Sequence, residues 1–267
     1  NYDEHKELIE ELKKSCAQFT KVLFPDENIN LSFPNLRDVT NVYCEGNKIK
    51  INQQLLLLID SDVTKKYLFN SSMSKNINKK LIKKSINSIR ELAIEFIILH
   101  EISHIYLGHL KIKNDTKKYE YYKESIEFDA DRIAANLLFG KFLMKIKKSG
   151  IKDYKPLIEK FIYFLFEVIC IIYQQNKNNC NYSDLDILKR IIIISTAFAE
   201  TKNKDTNDEI IDISLSEIEK IVFWSVVKFV ATYSSIHKGL NKNFKITESE
   251  KSDLKTFTNL YLEKSKL

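Results

Sequence analysis

Three of the five histidines lie within ten residues of one another, at His100, His104 and His109. Residues 100–104 read HEISH, which is the HExxH pattern. Because positions four apart return to nearly the same face of a helix, His100 and His104 could direct two imidazoles at one zinc ion. Glu101 could take a proton from a water molecule that zinc activates. The pattern indicates zinc-dependent hydrolysis, with Glu101 as the catalytic base.

HExxH fixes only three positions and also arises by chance among packed histidines, so a third ligand must support it. Metzincins would place Gly and His at the positions of Leu107 and Leu110, which excludes that class. Glutamate-type zincins instead take a carboxylate from a following helix, commonly from an ExxxD pattern.

Residues 124–138 contain such a pattern, with Glu127 and Asp131 one helical turn apart. We predict that Glu127 is the third zinc ligand and that Asp131 accepts a hydrogen bond from a ligand histidine. Glu124, one turn earlier, is the alternative ligand. The acidic residues could also form a solvated face, but the same helix has a strongly apolar side. That side consists of Ala130, Ile133, Ala134, Leu137 and Leu138.

Other residues near the motif have simpler interpretations. His109 follows Gly108, which is expected to end the helix, so His109 is predicted to be a loop histidine near the site rather than a ligand. Tyr119, Tyr121 and Tyr122 are predicted to pack along their helix, although one of them could donate to a developing oxyanion.

The segments LHEISHIYLGH (99–109) and EFDAD (127–131) together resemble the Lit-type phage-exclusion peptidases, a glutamate-zincin family. The resemblance is sharp over residues 99–138 and faint beyond Arg190. It implies a cytoplasmic bacterial zinc peptidase that cleaves one protein, a translation elongation factor, in abortive defence against phage. It also implies that His100, His104 and Glu127 are ligands and that Glu101 is the base.

One departure and one alternative accompany this resemblance. Related peptidases often carry a His-Pro pair shortly before an arginine in the later helices, and residues 183–190 lack the pair before Arg190. The motifs also resemble the ImmA/IrrE-type proteases, which cleave transcriptional repressors. Those proteins commonly have a shorter core, whereas more than a hundred residues follow Leu138 here.

The amino-acid composition argues against several other classes of protein. The 267 residues carry a net charge of +6, but the excess is lysine, and arginine occurs only four times, so nucleic-acid binding is not expected. Five scattered glycines leave no GxGxxG or phosphate-binding loop. Four cysteines without CxxC spacing are consistent with reduced thiols in a cytoplasm, and no apolar run reaches membrane-spanning length.

Apolar periodicity predicts a mainly α (α+β) protein, a zincin-like helical domain with a small N-terminal β-sheet. A helix is expected over residues 3–23, a strand over 40–43, a turn over 45–47 and a strand over 48–51. The strand near 48–52 is expected to be a sheet edge that could pair with an extended substrate. Further helices are predicted near 55–59, 82–108, 119–147, 155–175, 183–200, 209–236 and 247–265, with a mobile connection at 70–80.

The chain is predicted to form a single domain over residues 1–267. It would comprise an N-terminal helix and sheet (1–60), active-site helices (82–147) and a C-terminal helical region (155–267). The competing functional class is a non-catalytic helical interaction protein in which HExxH is accidental. Metal content distinguishes that class from a zinc endopeptidase.

Overall fold

The computed structural model of the protein describes residues 2–23, 29–34, 42–53, 55, 57, 61, 79–113, 115–177, 184–200, 220–222, 225 and 226. Within these residues the protein is mainly helical with a small sheet, which confirms the predicted fold class. The helices are α1 (Tyr2–Leu23), α2 (Lys79–Tyr106), α3 (His109–Lys113), α4 (Thr116–Ser149), α5 (Lys155–Lys177) and α6 (Asp184–Glu200).

The sheet of the described region consists of β1 (Asn30–Ser32), β2 (Val42–Glu45) and β3 (Lys48–Ile51) in the order β1-β3-β2. Strand β3 pairs with β1 in parallel and with β2 in an antiparallel arrangement. Because β3 has a neighbour on both sides, the prediction that it is a sheet edge is wrong. Sequence patterns report alternation within a strand but not which strands become its neighbours.

Helix α2 is the element on which the N-terminal part of the protein packs. It contacts α1, β2, β3 and α3. Buried and more exposed side chains alternate along β3, since Ile49 and Ile51 are fully buried while Lys48 is exposed. This alternation gives the strand one apolar face that can pack against other elements. The sheet and α1 therefore support the helix that carries HExxH.

Local signals explain where the helices around the site begin and end. Gly108 follows α2 with a φ of 68°, a conformation that suits glycine and ends the helix. The side chain of Asp115 caps α4 by accepting a hydrogen bond from the Lys118 amide at 3.2 Å. The turn at residues 107–108 and the short helix α3 thus lie between the histidines of α2 and the carboxylates of α4 along the chain.

The chain divides into two compact units, Asn1–Ala134 and Ala135–Leu267. In the second unit, α5 packs against α6, and the ring of Phe139 lies 4.7 Å from that of Phe198 and 6.0 Å from that of Phe161. The expectation that the whole chain forms one domain stays a prediction.

Several predicted segments fall outside the described residues. These are residues 70–78 of the connection expected at 70–80, the helix at 247–265 and most of the helix at 209–236, of which 220–222, 225 and 226 are described and helical. The last two residues of that connection, 79 and 80, belong to α2, so the prediction is wrong for them. Of the helix expected at 55–59, residues 55 and 57 are described and are helical. None of the helices that the described ranges contain is both long and apolar enough to cross a membrane.

Candidate metal centre

The HExxH motif lies in the last two turns of α2, where the helix is almost entirely buried. Leu99 and Ile102 are completely inaccessible to solvent, and they fix which side of the helix faces inward. His100 and His104 are 8% and 1% exposed, so both imidazoles are held away from water. Their i,i+4 spacing places them on one face, with ring centroids 4.7 Å apart.

Helix α4 supplies the carboxylates. Glu127 and Asp131 lie one turn apart on it, and Asp131 is completely buried. Ala130 and Ala134 are also fully buried. The longer acidic side chains of the same helix reach the histidines of α2.

Three side chains converge on one point: His100, His104 and Glu127. The two Nε2 atoms are 3.1 Å apart. Oε2 of Glu127 lies 3.2 Å from Nε2 of His100, and Oε1 lies 3.5 Å from Nε2 of His104. Tetrahedral zinc with bonds of about 2.0–2.2 Å would place its ligand atoms about 3.3–3.5 Å apart. The three distances therefore match the edges of such a site to within about 0.2 Å.

Asp131 determines the proton position on His100. Its Oδ1 lies 2.8 Å from Nδ1 of His100. Because a carboxylate accepts hydrogen bonds, Nδ1 of His100 is the donor. In the neutral ring this leaves a lone pair on Nε2, the nitrogen that faces His104 and Glu127.

The second histidine has a partner of its own. Nδ1 of His104 lies 3.0 Å from Nδ1 of His109, and the two rings meet at 63°. His109 is the first residue of α3 and is only 6% exposed. It is near the site, as predicted, but the prediction that it lies in a loop is wrong because α3 begins immediately after Gly108.

Electrostatics at the centre favour a positive charge. Burial disfavours the imidazolium, but hydrogen bonds to Asp131 and Glu127 outweigh burial and raise the pKa of His100 to about 10. Burial likewise opposes ionisation of Glu127, yet hydrogen bonds with His100 and His104 lower the pKa of this carboxyl well below its usual range. The Glu127 carboxylate is therefore ionised, and a cation placed beside it is stabilised.

The donor set suits a metal cation. Imidazole nitrogens and a carboxylate oxygen are ligands that zinc accepts. When His100 carries its proton on Nδ1, its Nε2 offers a lone pair beside the Glu127 carboxylate, which can only accept. Acceptors that face one another need either a proton or a metal ion between them. The chemistry of these residues therefore fits a bound metal.

The other predicted residues are placed as follows. Glu101 is 9% exposed and follows His100 on α2. Glu124, the alternative ligand, is exposed and lies outside the group of three. Tyr121 and Tyr122 are 81% and 46% exposed, so the prediction that they pack along the helix is wrong for these two. Their rings contact each other edge to face.

Sequence reasoning missed the contact between His104 and His109. The signal was present in the third histidine of the cluster, but the contact depends on a tight turn at Gly108 that brings α3 back toward α2. Helical spacing alone would not align residues 104 and 109, since positions five apart differ by about 140° around a helix.

Arg190 lies on α6 and is 2% exposed, within the second unit. His237 lies outside the described residues. Neither residue belongs to the group of three that could hold a metal.

A mainly helical fold with an HExxH helix and a glutamate from a following helix is the arrangement of HExxH peptidases. A family comparison agrees with this class. Residues 49–209, more than half of the chain, match Peptidase U49, and the protein belongs to this family. The matched region includes the HExxH motif, His109, Glu127 and Asp131. No curated protein and no solved structure matches the chain significantly.

Family membership indicates a protease, and a protease acts on a protein substrate. The match also favours an enzyme over the competing class of non-catalytic helical interaction protein.

Proposed function

We propose that the protein is a zinc-dependent endopeptidase. The observation that carries this proposal is the convergence of Nε2 of His100, Nε2 of His104 and the Glu127 carboxylate at mutual distances of 3.1–3.5 Å. Two imidazoles and one carboxylate with an open fourth position form the ligand set of a catalytic zinc site. Membership of a peptidase family supports the same reaction.

Each residue of the centre has a role in this proposal. His100, His104 and Glu127 hold the metal, and Asp131 keeps the ring of His100 in the tautomer that leaves Nε2 available. A bound zinc ion would polarise the scissile carbonyl and lower the pKa of a water molecule to about 7. Glu101 takes the proton of that water as it attacks the carbonyl carbon and then delivers the proton to the leaving amine.

Burial supports the role of Glu101. Glu101 is only 9% exposed, and it directly follows the proposed ligand His100 on α2. A carboxylate in such a place is screened weakly by bulk water, so its interaction with developing positive charge is strong. Glu101 is not one of the three convergent ligands, so the proposal gives it proton transfer rather than metal binding.

The proposed substrate is a specific protein of the bacterial cytoplasm. The resemblance of residues 99–109 and 127–131 to the Lit-type peptidases supports a translation elongation factor and a role in phage exclusion. Two described helices, α5 and α6, follow the centre in the chain, and peptide hydrolysis alone does not require them. This additional helical part favours the Lit-type substrate over the repressor expected of an ImmA/IrrE-type protease.

The test combines metal analysis with a comparison of cellular protein termini. The wild-type protein should contain about one zinc per chain. Expressing wild type, Glu101→Gln and Glu159→Gln in bacteria, followed by mass spectrometry of new termini, should reveal one cleaved protein. Glu101→Gln should retain zinc and lose the cleavage by a factor of about 10²–10⁴. Glu159→Gln makes the same chemical change at an exposed position of α5 and should cleave normally.

Each result has a defined meaning. A protein that neither contains zinc nor gains stability from added zinc would refute the metal dependence. Many unrelated cleavages that depend on Glu101 would refute selectivity. A single cleaved repressor would replace the Lit-type substrate with the ImmA/IrrE-type one.

A further inference from the structure

We infer that His109 is a positioning residue that fixes the tautomer and ring orientation of His104. The inference rests on the proposed zinc function, since it concerns how one of the proposed ligands is held. The two Nδ1 atoms lie 3.0 Å apart, which is hydrogen-bond distance. His109 would therefore do for His104 what Asp131 does for His100.

The direction of this hydrogen bond follows from proton counting. Two neutral imidazoles whose Nδ1 atoms face each other can share only one proton, so one ring donates and the other accepts. Nε2 of His104 faces His100 and Glu127, and it can bind a metal only through a lone pair. A neutral His104 must then carry its proton on Nδ1, so His104 donates and Nδ1 of His109 accepts.

The placement of His109 is built into the backbone. Gly108 adopts a φ of 68°, and its carbonyl accepts a hydrogen bond from the Lys111 amide at 3.1 Å as α3 begins. This turn brings the first side chain of α3 back against the last turn of α2. Burial of both rings, at 1% and 6% exposure, keeps water from replacing either hydrogen-bond partner.

The two ligand histidines are thus held by different chemistry. His100 donates to an ionised carboxylate, whereas His104 donates to a neutral ring. Both partners fix a tautomer, but only Asp131 adds negative charge. His109 therefore orients its ligand without adding a negative charge to a centre that already contains Glu127 and Asp131.

Two substitutions of similar shape separate this role from packing. Asn and Leu branch at the same carbon, but in His109→Asn the Oδ1 atom stands near the former Nδ1 position and can accept the proton of His104. His109→Leu fills similar space and cannot accept. Zinc affinity of the full-length protein, measured by competition with a chromophoric chelator at constant pH, should fall about 10–100-fold in His109→Leu. It should stay within about threefold of wild type in His109→Asn, since the acceptor that the ligand needs is retained.

Two further measurements keep the inference testable if a variant folds poorly. Thermal unfolding of the metal-free proteins reports any loss of packing. Long-range ¹⁵N NMR of His104 in the metal-free wild-type protein reports the tautomer that the hydrogen bond to His109 sets, and a proton on Nδ1 is expected.

The outcomes are distinct. Wild-type affinity in His109→Leu, equal losses in both variants, or a proton on Nε2 of His104 in the metal-free protein would each overturn the inference without bearing on whether zinc binds. Absence of zinc binding in the wild type would overturn the proposed function, and this inference would fall with it.

Discussion

The two compact units bury different kinds of side chains. In the unit Asn1–Ala134, the buried groups include two carboxylates and three imidazoles, at Glu101, Asp131, His100, His104 and His109. In the unit Ala135–Leu267, the described interior consists mainly of aliphatic residues and phenylalanine, including Phe139, Phe166 and Phe198, although Glu167 and Arg190 are also buried there.

The two kinds of buried side chain have opposite effects on the free energy of folding. Removing a polar or ionisable group from water costs free energy unless partners replace the lost hydrogen bonds. Burying an apolar side chain contributes free energy directly, about 1.5–3 kcal/mol for a large one. The cluster of buried histidines and carboxylates in the first unit therefore costs free energy, whereas the buried side chains described in the second unit are mostly apolar and mainly contribute to stability. Substitutions in the first should change metal binding, and substitutions in the second should change stability.

The largest effect is expected from removing the proposed carboxylate ligand. Glu127→Ala should weaken zinc binding by roughly a thousandfold, because roughly 10–16 kcal/mol of binding free energy at tight zinc sites is shared among a few ligands. Glu124→Ala removes an exposed glutamate one turn earlier and should bind zinc normally. Chelator competition measures both. The reverse result would show that Glu124 is the third ligand.

A large effect on stability, rather than on zinc binding, is expected from Phe139→Ala. Phe139 is fully buried and contacts the rings of Phe161 and Phe198, so truncation should lower the free energy of unfolding by about 3–5 kcal/mol. Phe139→Leu should cost only about 1 kcal/mol because it preserves most of the volume. Urea unfolding gives these values, and zinc titration of the folded variant should give wild-type stoichiometry. Loss of zinc binding in folded protein would break the distinction between the units.

A smaller effect is expected at the partner of His100. Asp131→Asn preserves shape but removes the negative charge that stabilises the donor ring, so zinc affinity should fall about 10–100-fold. Asp129→Asn is the matched control, since this half-exposed residue lies two positions away and pairs with Arg132 at 3.8 Å. It should change zinc affinity less than threefold by the same chelator competition. Equal effects at both positions would mean that general electrostatics, rather than the hydrogen bond to His100, matters at the site.

Sequence patterns predicted the structure best where the periodicity of one helix determines which side chains share a face. The spacing of His100 and His104 predicted a shared face, and the ExxxD spacing predicted that Glu127 and Asp131 would face the same way. The helix expected over 155–175 is observed as Lys155–Lys177. These features depend on local geometry, which a residue pattern encodes directly.

Features that depend on contacts between segments were not predictable in the same way. The parallel pairing of β1 with β3 joins segments that no hairpin connects, so alternation within each strand cannot reveal it. The contact of His109 with His104 depends on the turn at Gly108 rather than on helical spacing. The exposure of Tyr121 depends on which side of α4 meets other elements, a question of packing that an aromatic residue type does not answer.

The turn at Gly108 also limits how the sequence can vary. A Cβ atom at this position would meet no other atom within 4 Å, so space alone would admit a side chain. The φ of 68° is the restriction, because the left-handed conformation costs most residues roughly 1–2 kcal/mol and costs Asn and Asp less. In evolutionary terms, position 108 is open mainly to glycine and a few polar residues, and the reason is its backbone conformation rather than crowding.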